Sequence, residues 1–308
     1  MSAGLDRRFV RRVRMTVRYD GTAYQGFQVQ PDRLTIQSVM ETALGRLLDE
    51  PVRLRAAGRT DAGVHAREQV VDFADSGRRA IGTIVRGGNA LLPADIRILS
   101  AEEVSESFDA RRHAKSKEYR YFLWLNPVAS PFLSRYSWHI EKPLDLDATR
   151  EGLAHVIGEH DFSSFRGQGC TARSPVRTIL AADLAEAAAP GWAGGDTGPR
   201  EAPTGEWAGS GGTEVGRAGS TGEAARGGTA EGTGGPGRAR LASPLLFIGL
   251  AGTGFLRHMV RNIVGTLVEV GREKIPPERI RELLALRDRA EAGPTAPAHG
   301  LFLWEVRY

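Results

Sequence analysis

Alternation of apolar and polar residues predicts a β-strand near the start of the chain. In the run Arg12-Val13-Arg14-Met15-Thr16-Val17-Arg18-Tyr19, apolar side chains occupy every second position. A period of two puts the apolar residues on one face of a strand and most of the arginines on the other. Turn residues follow in Asp20-Gly21-Thr22, where the strand would end. The basic face of this strand could face phosphate groups.

The same reading predicts helices and strands in both halves of the chain. Apolar residues recur at helical spacing after Thr35, after Asp147 and from Phe255 to Val270, and Pro277 stands where another helix would begin. Strands are predicted at 69–73, 119–125, 177–184, 245–250 and 301–308. The strand 119–125 is apolar on both faces, which favours a central position in a sheet. Because helices and strands intermix, the pattern predicts an α+β fold with a largely antiparallel sheet.

One segment, residues 187–241, does not follow these patterns. It is rich in Gly, Ala, Thr and Glu, and its bulky apolar residues before Leu241 are Trp192, Trp207 and Val215. Such a composition cannot bury enough apolar surface to offset the entropy lost on ordering, so it predicts a disordered insertion. The insertion lies between two predicted strands, and a hairpin loop is where extra residues cost least.

Composition excludes several classes of protein. No apolar run is long enough for a membrane span, and the N-terminus lacks the apolar stretch of a secretory signal. The single cysteine, Cys170, excludes an internal disulfide and is typical of a reducing compartment. We therefore expect a cytoplasmic protein.

The balance of charge favours a polyanionic partner. The formal net charge is +4 and the pI about 9.4. The basic residues form two clusters: Arg7, Arg8, Arg11, Arg12, Arg14 and Arg18, and then Arg111, Arg112, His113, Lys115, Lys117 and Arg120. Each cluster alone is compatible with a solvated face. Because both run into apolar strands, together they favour a basic cleft.

Common cofactor and metal motifs are missing from the sequence. It has no Gly-x-x-x-x-Gly-Lys-Ser/Thr loop and no His-Glu-x-x-His, and Gly252-Thr253-Gly254 lacks the third glycine of a dinucleotide fingerprint. A zinc deaminase would need paired cysteines. The seven histidines are scattered. We therefore expect no metal.

The strongest candidate for chemistry is the loop Arg59-Thr60-Asp61-Ala62-Gly63-Val64-His65-Ala66. Its small residues allow a ligand to approach closely, and an arginine beside Asp61 would keep that carboxylate ionised, as a nucleophile or base requires. The alternative is an ordinary surface turn with an Asp–Arg pair, which composition alone favours. His65, in a tight loop, is more typical of a donor to the backbone than of a general base.

This loop resembles the catalytic motif of the TruA family of tRNA pseudouridine synthases, and other stretches resemble that family in the same order. They are Tyr19-Asp20-Gly21-Thr22, Gly26-Phe27-Gln28, Thr35-Ile36-Gln37, Asn89-Ala90-Leu91-Leu92-Pro93, Ser107-Phe108-Asp109-Ala110-Arg111, Lys117-Glu118-Tyr119-Arg120-Tyr121, His160-Asp161-Phe162-Ser163-Ser164-Phe165, Arg177-Thr178-Ile179, 254–265, and Thr295-Ala296-Pro297 before Gly300-Leu301. The likeness spans residues 11–308 except the insertion. Phe27 departs from it, since the family usually has tryptophan there.

The resemblance implies a role for five residues. Asp61 would be the catalytic nucleophile, attacking C1′ of a uridine or abstracting a sugar proton to give a glycal. Tyr119 would pack on the target base and help to remove the C5 proton. Arg261 would pair with the aspartate, Arg59 would help to extrude the base, and Arg257, four residues before Arg261, would share its helix face and meet phosphate. From the residues alone, Tyr119 at the head of an apolar strand is more typical of the core. Arg257 and Arg261 are compatible with a solvated face, and Arg59 with a local partner for Asp61 only.

The resemblance also implies the architecture and the partner. The expected fold is the pseudouridine synthase fold: α+β, two similar domains with largely antiparallel mixed sheets forming a central basic cleft. The domains would span 8–110 and 111–308, the second containing the insertion 187–241. The expected protein is a homodimer that isomerises uridines 38 to 40 in the anticodon stem-loop of tRNA without metal or cofactor. The alternatives are a non-catalytic RNA-binding protein and a synthase acting on another RNA.

Overall fold

The computed structural model describes residues 11–187 and 245–308. Its strands are β1 (Arg11–Tyr19), β2 (Arg55–Ala56), β3 (His65–Asp75), β4 (Ile96–Val104), β5 (Ser116–Leu125), β6 (Trp138–Ile140), β7 (Gly158–Asp161), β8 (Val176–Glu186), β9 (Leu245–Gly252) and β10 (Leu301–Arg307). Its α-helices are α1 (Ile36–Leu48), α2 (Ile81–Leu91), α3 (Leu146–Ala154), α4 (Met259–Gly271) and α5 (Arg279–Leu286), with short 3₁₀ turns at Ser163–Phe165 and Ala298–Gly300. No helix in these two ranges is both long and apolar enough to cross a membrane.

The described strands form one sheet in the order β4-β1-β3-β10-β5-β9-β8-β7, with β2 beside β3 and β6 beside β5. All neighbours on this path are antiparallel except β3 and β10, which pair in parallel through Phe302 opposite His65 and Leu303 opposite Ala66. The last strand of the chain therefore joins the N-terminal strands to the C-terminal ones. The α+β fold with its largely antiparallel sheet is confirmed.

Local sequence explains how two of the helices are positioned. Thr35 caps α1, since its hydroxyl accepts from the Ser38 N–H while the Ser38 hydroxyl accepts from the Thr35 N–H. The apolar stripe of α1 then packs into the core through buried residues such as Met40 and Leu44. Helix α4 is buried on nearly every side, and Gly265 allows the backbone at Pro294 to approach closely, because a Cβ there would lie 1.7 Å from the Pro294 oxygen.

A buried carboxylate ties the N-terminal strands together. Asp72 on β3 is 0% exposed; it accepts hydrogen bonds from the guanidinium groups of Arg12 on β1 and Arg55 on β2, and from the Ala110 N–H at 2.8 Å. A fully buried carboxylate persists only when it is paired and hydrogen-bonded in this way.

Ion pairs correct, for Arg12 and Arg14, the expectation that the basic face of β1 could face phosphate, whereas Arg18 on that face is exposed. Arg12 lies 2.7 Å from Asp72, Arg11 2.7 Å from Asp75 on β3, and Arg14 3.1 Å from Glu102 on β4. The neighbouring strands thus supply carboxylates that neutralise these three cations. Pattern alone could not show this, because the partners lie far away in the chain.

The element predictions are confirmed for β1, β3, β5, β8, β9 and β10, and β5 lies centrally between β10 and β9. The helices after Thr35 and Asp147 are present, but α4 begins at Met259 rather than Phe255, because His258 has a positive φ that interrupts helical geometry. Pro277 is not the first residue of α5, which begins at Arg279.

The pairing of β8 with β9 confirms the predicted hairpin. The insertion predicted within this hairpin lies, from residue 188 onward, outside the described residues. The domain boundary at residue 110 stays a prediction.

Replacement of the buried carboxylate tests its structural role. We expect Asp72→Ala to lower the free energy of unfolding by about 3–5 kcal/mol, because it removes the buried carboxylate that accepts from Arg12, Arg55 and the Ala110 N–H. Urea denaturation would measure this. Asp147→Ala, which removes an exposed carboxylate paired with Arg150, is the matched control and should change stability little. An equal loss in both variants would contradict the role of Asp72.

Candidate active site

Asp61 lies in the connection between β2 and β3, and a preceding turn holds this connection in place. The Phe27 N–H donates to the Thr60 carbonyl at 3.0 Å, and the Gly63 N–H to the Tyr24 carbonyl at 3.3 Å. Gly26 has φ +91°, and a Cβ there would lie 2.9 Å from the Thr60 oxygen, so only glycine fits. The backbone on both sides of Asp61 is therefore fixed by residues that precede α1.

Two side chains of the other half of the sequence approach the Asp61 carboxylate. His258 Nε2 lies 3.6 Å from Asp61 Oδ2, and Arg261 Nη1 lies 4.0 Å from the same oxygen. Asp61 is 31% exposed, so its carboxylate stays accessible to a ligand. The site is thus a partly open carboxylate beside cationic and imidazole groups at the start of α4.

Arg261 is oriented by a second contact. Its Nε donates to the Ala296 carbonyl at 2.7 Å, and the side chain is 15% exposed. Burial lowers the pKa of Arg261 while Asp61 raises it. Because arginine ionises far above neutral pH, the side chain remains a cation facing Asp61.

Tyr119 lies on β5, across from the Asp61 loop. Its phenol oxygen is 3.6 Å from the point that a Cβ on Gly58 would occupy, and its ring packs edge-on against Phe255 with centroids 4.9 Å apart. Burial, with the charges of Tyr19 and Asp61, raises the pKa of Tyr119 above its ordinary value. The phenol therefore stays protonated at neutral pH, and no other described residue hydrogen-bonds to its hydroxyl.

The two remaining predicted arginines lie differently. Arg59 is exposed, and within the described parts of the chain no carboxylate is within ion-pair distance of it. Arg257 turns toward the loop after the 3₁₀ turn at Ser163–Phe165, where its Nη1 donates to the Gln168 carbonyl at 3.2 Å. Of these arginines, the structure brings Arg261 to Asp61.

His258 was not predicted from the sequence. It has φ 60° and ψ 0°, a left-handed conformation that is uncommon for residues other than glycine and that places its ring beside Asp61. Its ring also packs on Gly167, where a Cβ would lie 2.9 Å from the imidazole. Burial lowers the pKa of His258, and Arg261 and Arg257 lower it further, whereas Asp61 raises it. The only sequence signal was its position between the two arginines of a motif.

His65 links the Asp61 loop to the other half of the sheet. Its Nδ1 lies 3.1 Å from Asp20 Oδ1, its Nε2 lies 3.1 Å from the His299 carbonyl, and its ring stacks on Phe302 with centroids 4.6 Å apart. Burial opposes ionisation of Asp20, but the contact with His65 and the hydrogen bonds donated by Thr22 and Tyr136 hold the pKa of Asp20 below its ordinary value. The His65 side chain is 1% exposed, as expected for a structural contact.

Comparison with known proteins shows the family to which this chain belongs. The family model described as tRNA pseudouridine synthase matches residues 15–111 and 153–308. The first matched segment contains Asp61 and the second contains Arg261, while Tyr119 lies in the interval between them. The chain belongs to the tRNA pseudouridine synthase family.

Curated relatives extend this likeness along nearly the whole chain. The chain is 40% identical over 299 residues to a tRNA pseudouridine synthase A of Pelobacter propionicus, covering 97% of this chain and 100% of that protein. It is 38% identical to proteins of that name from Geobacter sulfurreducens and from Brevibacillus brevis, with the same shares covered in each case.

The contact between Asp61 and His258 has a testable consequence for titration. Because Asp61 raises the pKa of His258, we expect Asp61→Asn to lower that pKa further. The ring-proton chemical shift of His258, followed by NMR against pH, measures the change. The control Asp147→Asn should leave the titration unaltered. A His258 pKa that is the same in the wild type and Asp61→Asn would contradict the electrostatic contact.

Proposed function

We propose that the protein isomerises uridine to pseudouridine in tRNA, with Asp61 as the nucleophile. The observation that carries the proposal is the partly open Asp61 carboxylate, with Arg261 at 4.0 Å, in a chain of this family. A carboxylate acts as a nucleophile only when it is ionised, and a fixed cation beside it favours that state.

The reaction needs no external energy source because its product is an isomer of its substrate. The bond between N1 of uracil and C1′ of ribose breaks, the base turns, and a bond forms between C5 and C1′. The proton on C5 is lost and N1 gains a proton. Asp61 would either attack C1′ and then leave, or remove a sugar proton to give a glycal.

Tyr119 and Arg59 would hold the target nucleotide. The target uridine must leave its stack before Asp61 can reach the sugar. Arg59 is exposed at the edge of the loop, where it could replace the extruded base. The Tyr119 ring would pack on the uracil, and its raised pKa suits a hydrogen-bond donor better than a base.

The finer features of the substrate belong to the same proposal. Uridines 38 to 40 in the anticodon stem-loop would be the targets, a homodimer would hold the tRNA, and Arg257 would contact phosphate. RNA shape and phosphate contacts would dominate recognition. We infer that the modification of tRNA takes place in the cytoplasm. Mapping pseudouridine in total RNA from a deletion strain distinguishes these targets, since loss only outside the anticodon arm would indicate a synthase for another RNA.

Replacement of the nucleophile tests the reaction. We expect Asp61→Ala to abolish the release of tritium from tRNA labelled at C5 of uridine, because no other described carboxylate lies beside Arg261 to take its place. Asp147→Ala should release tritium at the wild-type rate. Equal release by the wild type and Asp61→Ala would contradict the role of Asp61 as nucleophile, whereas release by neither protein would favour a non-catalytic RNA-binding protein.

Two substitutions of Tyr119 separate packing from chemistry. If the ring packs on the base, Tyr119→Ala should lower kcat/KM by about 10–100-fold, since stacking of a base on an aromatic ring contributes about 1–3 kcal/mol. Tyr119→Phe keeps the ring and should lose less. Steady-state tritium release measures both variants. A Phe variant as inactive as the Ala variant would show that the hydroxyl takes part in the chemistry.

A further inference from the structure

Lys117 lies beside the Asp61 loop, on the same face of β5 as Tyr119 two residues later. Its Cδ and Cε are 3.7 and 3.8 Å from the point that a Cβ on Gly58 would occupy, and the Tyr119 phenol oxygen is 3.6 Å from that point. The lysine side chain and the phenol therefore reach the same part of the loop, three residues before Asp61.

Arg177 lies on β8, across β9 from Lys117. Lys117 on β5 and Ile179 on β8 both lie opposite Gly252 of β9, one on each side. Arg177 precedes Ile179 by two residues and so shares its face of β8. Its Cδ and Nε lie 3.7 Å from the point that a Cβ on Gly254 would occupy, just beyond the end of β9.

Lys117 is surrounded by like charge rather than opposite charge. Burial, with the positive charges of Arg111 and Arg177, lowers the pKa of Lys117 to about 8. Within residues 11–187 and 245–308, none of these three cations lies within ion-pair distance of a carboxylate. On β1, by contrast, Arg11 and Arg12 each meet a buried aspartate.

A solvated basic face is the alternative explanation, and it suits Arg111, which is exposed. It does not suit Lys117, whose side chain is partly buried against the Asp61 loop. Holding an ammonium group among other cations and partly away from water is unfavourable in the free protein. An anionic ligand would remove this cost.

We propose that Lys117, Arg111 and Arg177 form a pocket for a phosphodiester group of the RNA, next to the nucleotide held at Asp61. This inference rests on the proposed function and extends it to a specific backbone contact. A phosphodiester offers charged acceptor oxygens to both lysine and arginine. Inorganic phosphate shares this chemistry, but the contact of Lys117 with the Asp61 loop favours the RNA backbone.

Binding of tRNA at different salt concentrations tests the contact. The Asp61→Asn background keeps chemistry out of the measurement. There, Lys117→Met should weaken binding about 10-fold, as for the loss of one charge-assisted hydrogen bond. It should also reduce the slope of log K against log salt by about 0.7–0.9. Lys117→Arg should restore most of the affinity and most of the salt slope. Lys274→Met, which removes a lysine already neutralised by Glu269 at 2.6 Å, should change neither.

A neutral linkage in the RNA identifies the partner of Lys117. Stem-loops would carry a single methylphosphonate, placed either beside the target uridine or several nucleotides away. Their affinities would be measured in parallel for the protein that retains Lys117 and for its Lys117→Met variant. The 10-fold penalty of Lys117→Met should vanish only with the adjacent neutral linkage. Equal penalties on every RNA, or an unchanged salt slope, would overturn the proposal.

Competition by inorganic phosphate separates a free anion from the RNA backbone as the ligand. The pocket binds a free anion if inorganic phosphate competes with RNA for the protein that retains Lys117 but not for Lys117→Met, and if the loss of affinity in Lys117→Met is also the same on every RNA. That result would also overturn the proposal. We expect instead that the penalty depends on the position of the neutral linkage.

Thermal unfolding separates this role from a structural one. Because the folded protein lowers the pKa of Lys117, its charge opposes folding at pH 7, and Lys117→Met should raise Tm by about 1–3 °C. A fall in Tm, with weaker binding, would make Lys117 a packing residue and overturn the proposal. Failure of the proposed function would look different: the wild type would release no tritium, whatever the affinities of the Lys117 variants.

Discussion

The site depends on the parallel pairing of β3 with β10. That pairing places Phe302 and the His299 carbonyl against His65, which begins β3 four residues after Asp61. The same C-terminal segment includes Ala296, whose carbonyl holds the Arg261 guanidinium. One junction in the sheet therefore fixes the nucleophile loop on one side and its cation on the other. Without it, the two halves of the chain would carry the parts of a site but would not assemble it.

Charge is distributed over the described part of the molecule in two ways. On β1, Arg11, Arg12 and Arg14 meet carboxylates of neighbouring strands, and Asp72 is completely buried. At the active site, Arg261 stands 4.0 Å from an accessible Asp61, and the charges that act on Lys117 are those of other cations. The first arrangement holds strands together. The second leaves charge available to a substrate.

Periodicity predicted the elements whose apolar pattern is unbroken, such as β5 and α1, and the motifs predicted Asp61, Tyr119 and Arg261 as a group. Helix α2 was missed because it contains Gly87 and Gly88, which weaken a helix signal. The structure explains these two glycines, because a side chain would collide with a neighbour at either position. A Cβ on Gly87 would lie 2.6 Å from Leu47, and a Cβ on Gly88 would lie 2.5 Å from Ile98. His258 was missed for a related reason, since a left-handed backbone is imposed by packing that no local pattern records.

The hairpin of β8 and β9 has a practical consequence. Its strands stay paired up to the Ala187 N–H, which donates to the Leu245 carbonyl at 2.8 Å, so the two ends of the intervening chain are fixed close together. The position opposite Lys117 is Gly252, seven residues along β9 from Leu245, or about 23 Å at the rise of a strand. Both ends of that intervening chain are therefore attached to the sheet away from the position of Lys117. This makes the hairpin a suitable place to attach an affinity tag or a fluorescent reporter for single-molecule studies of RNA binding.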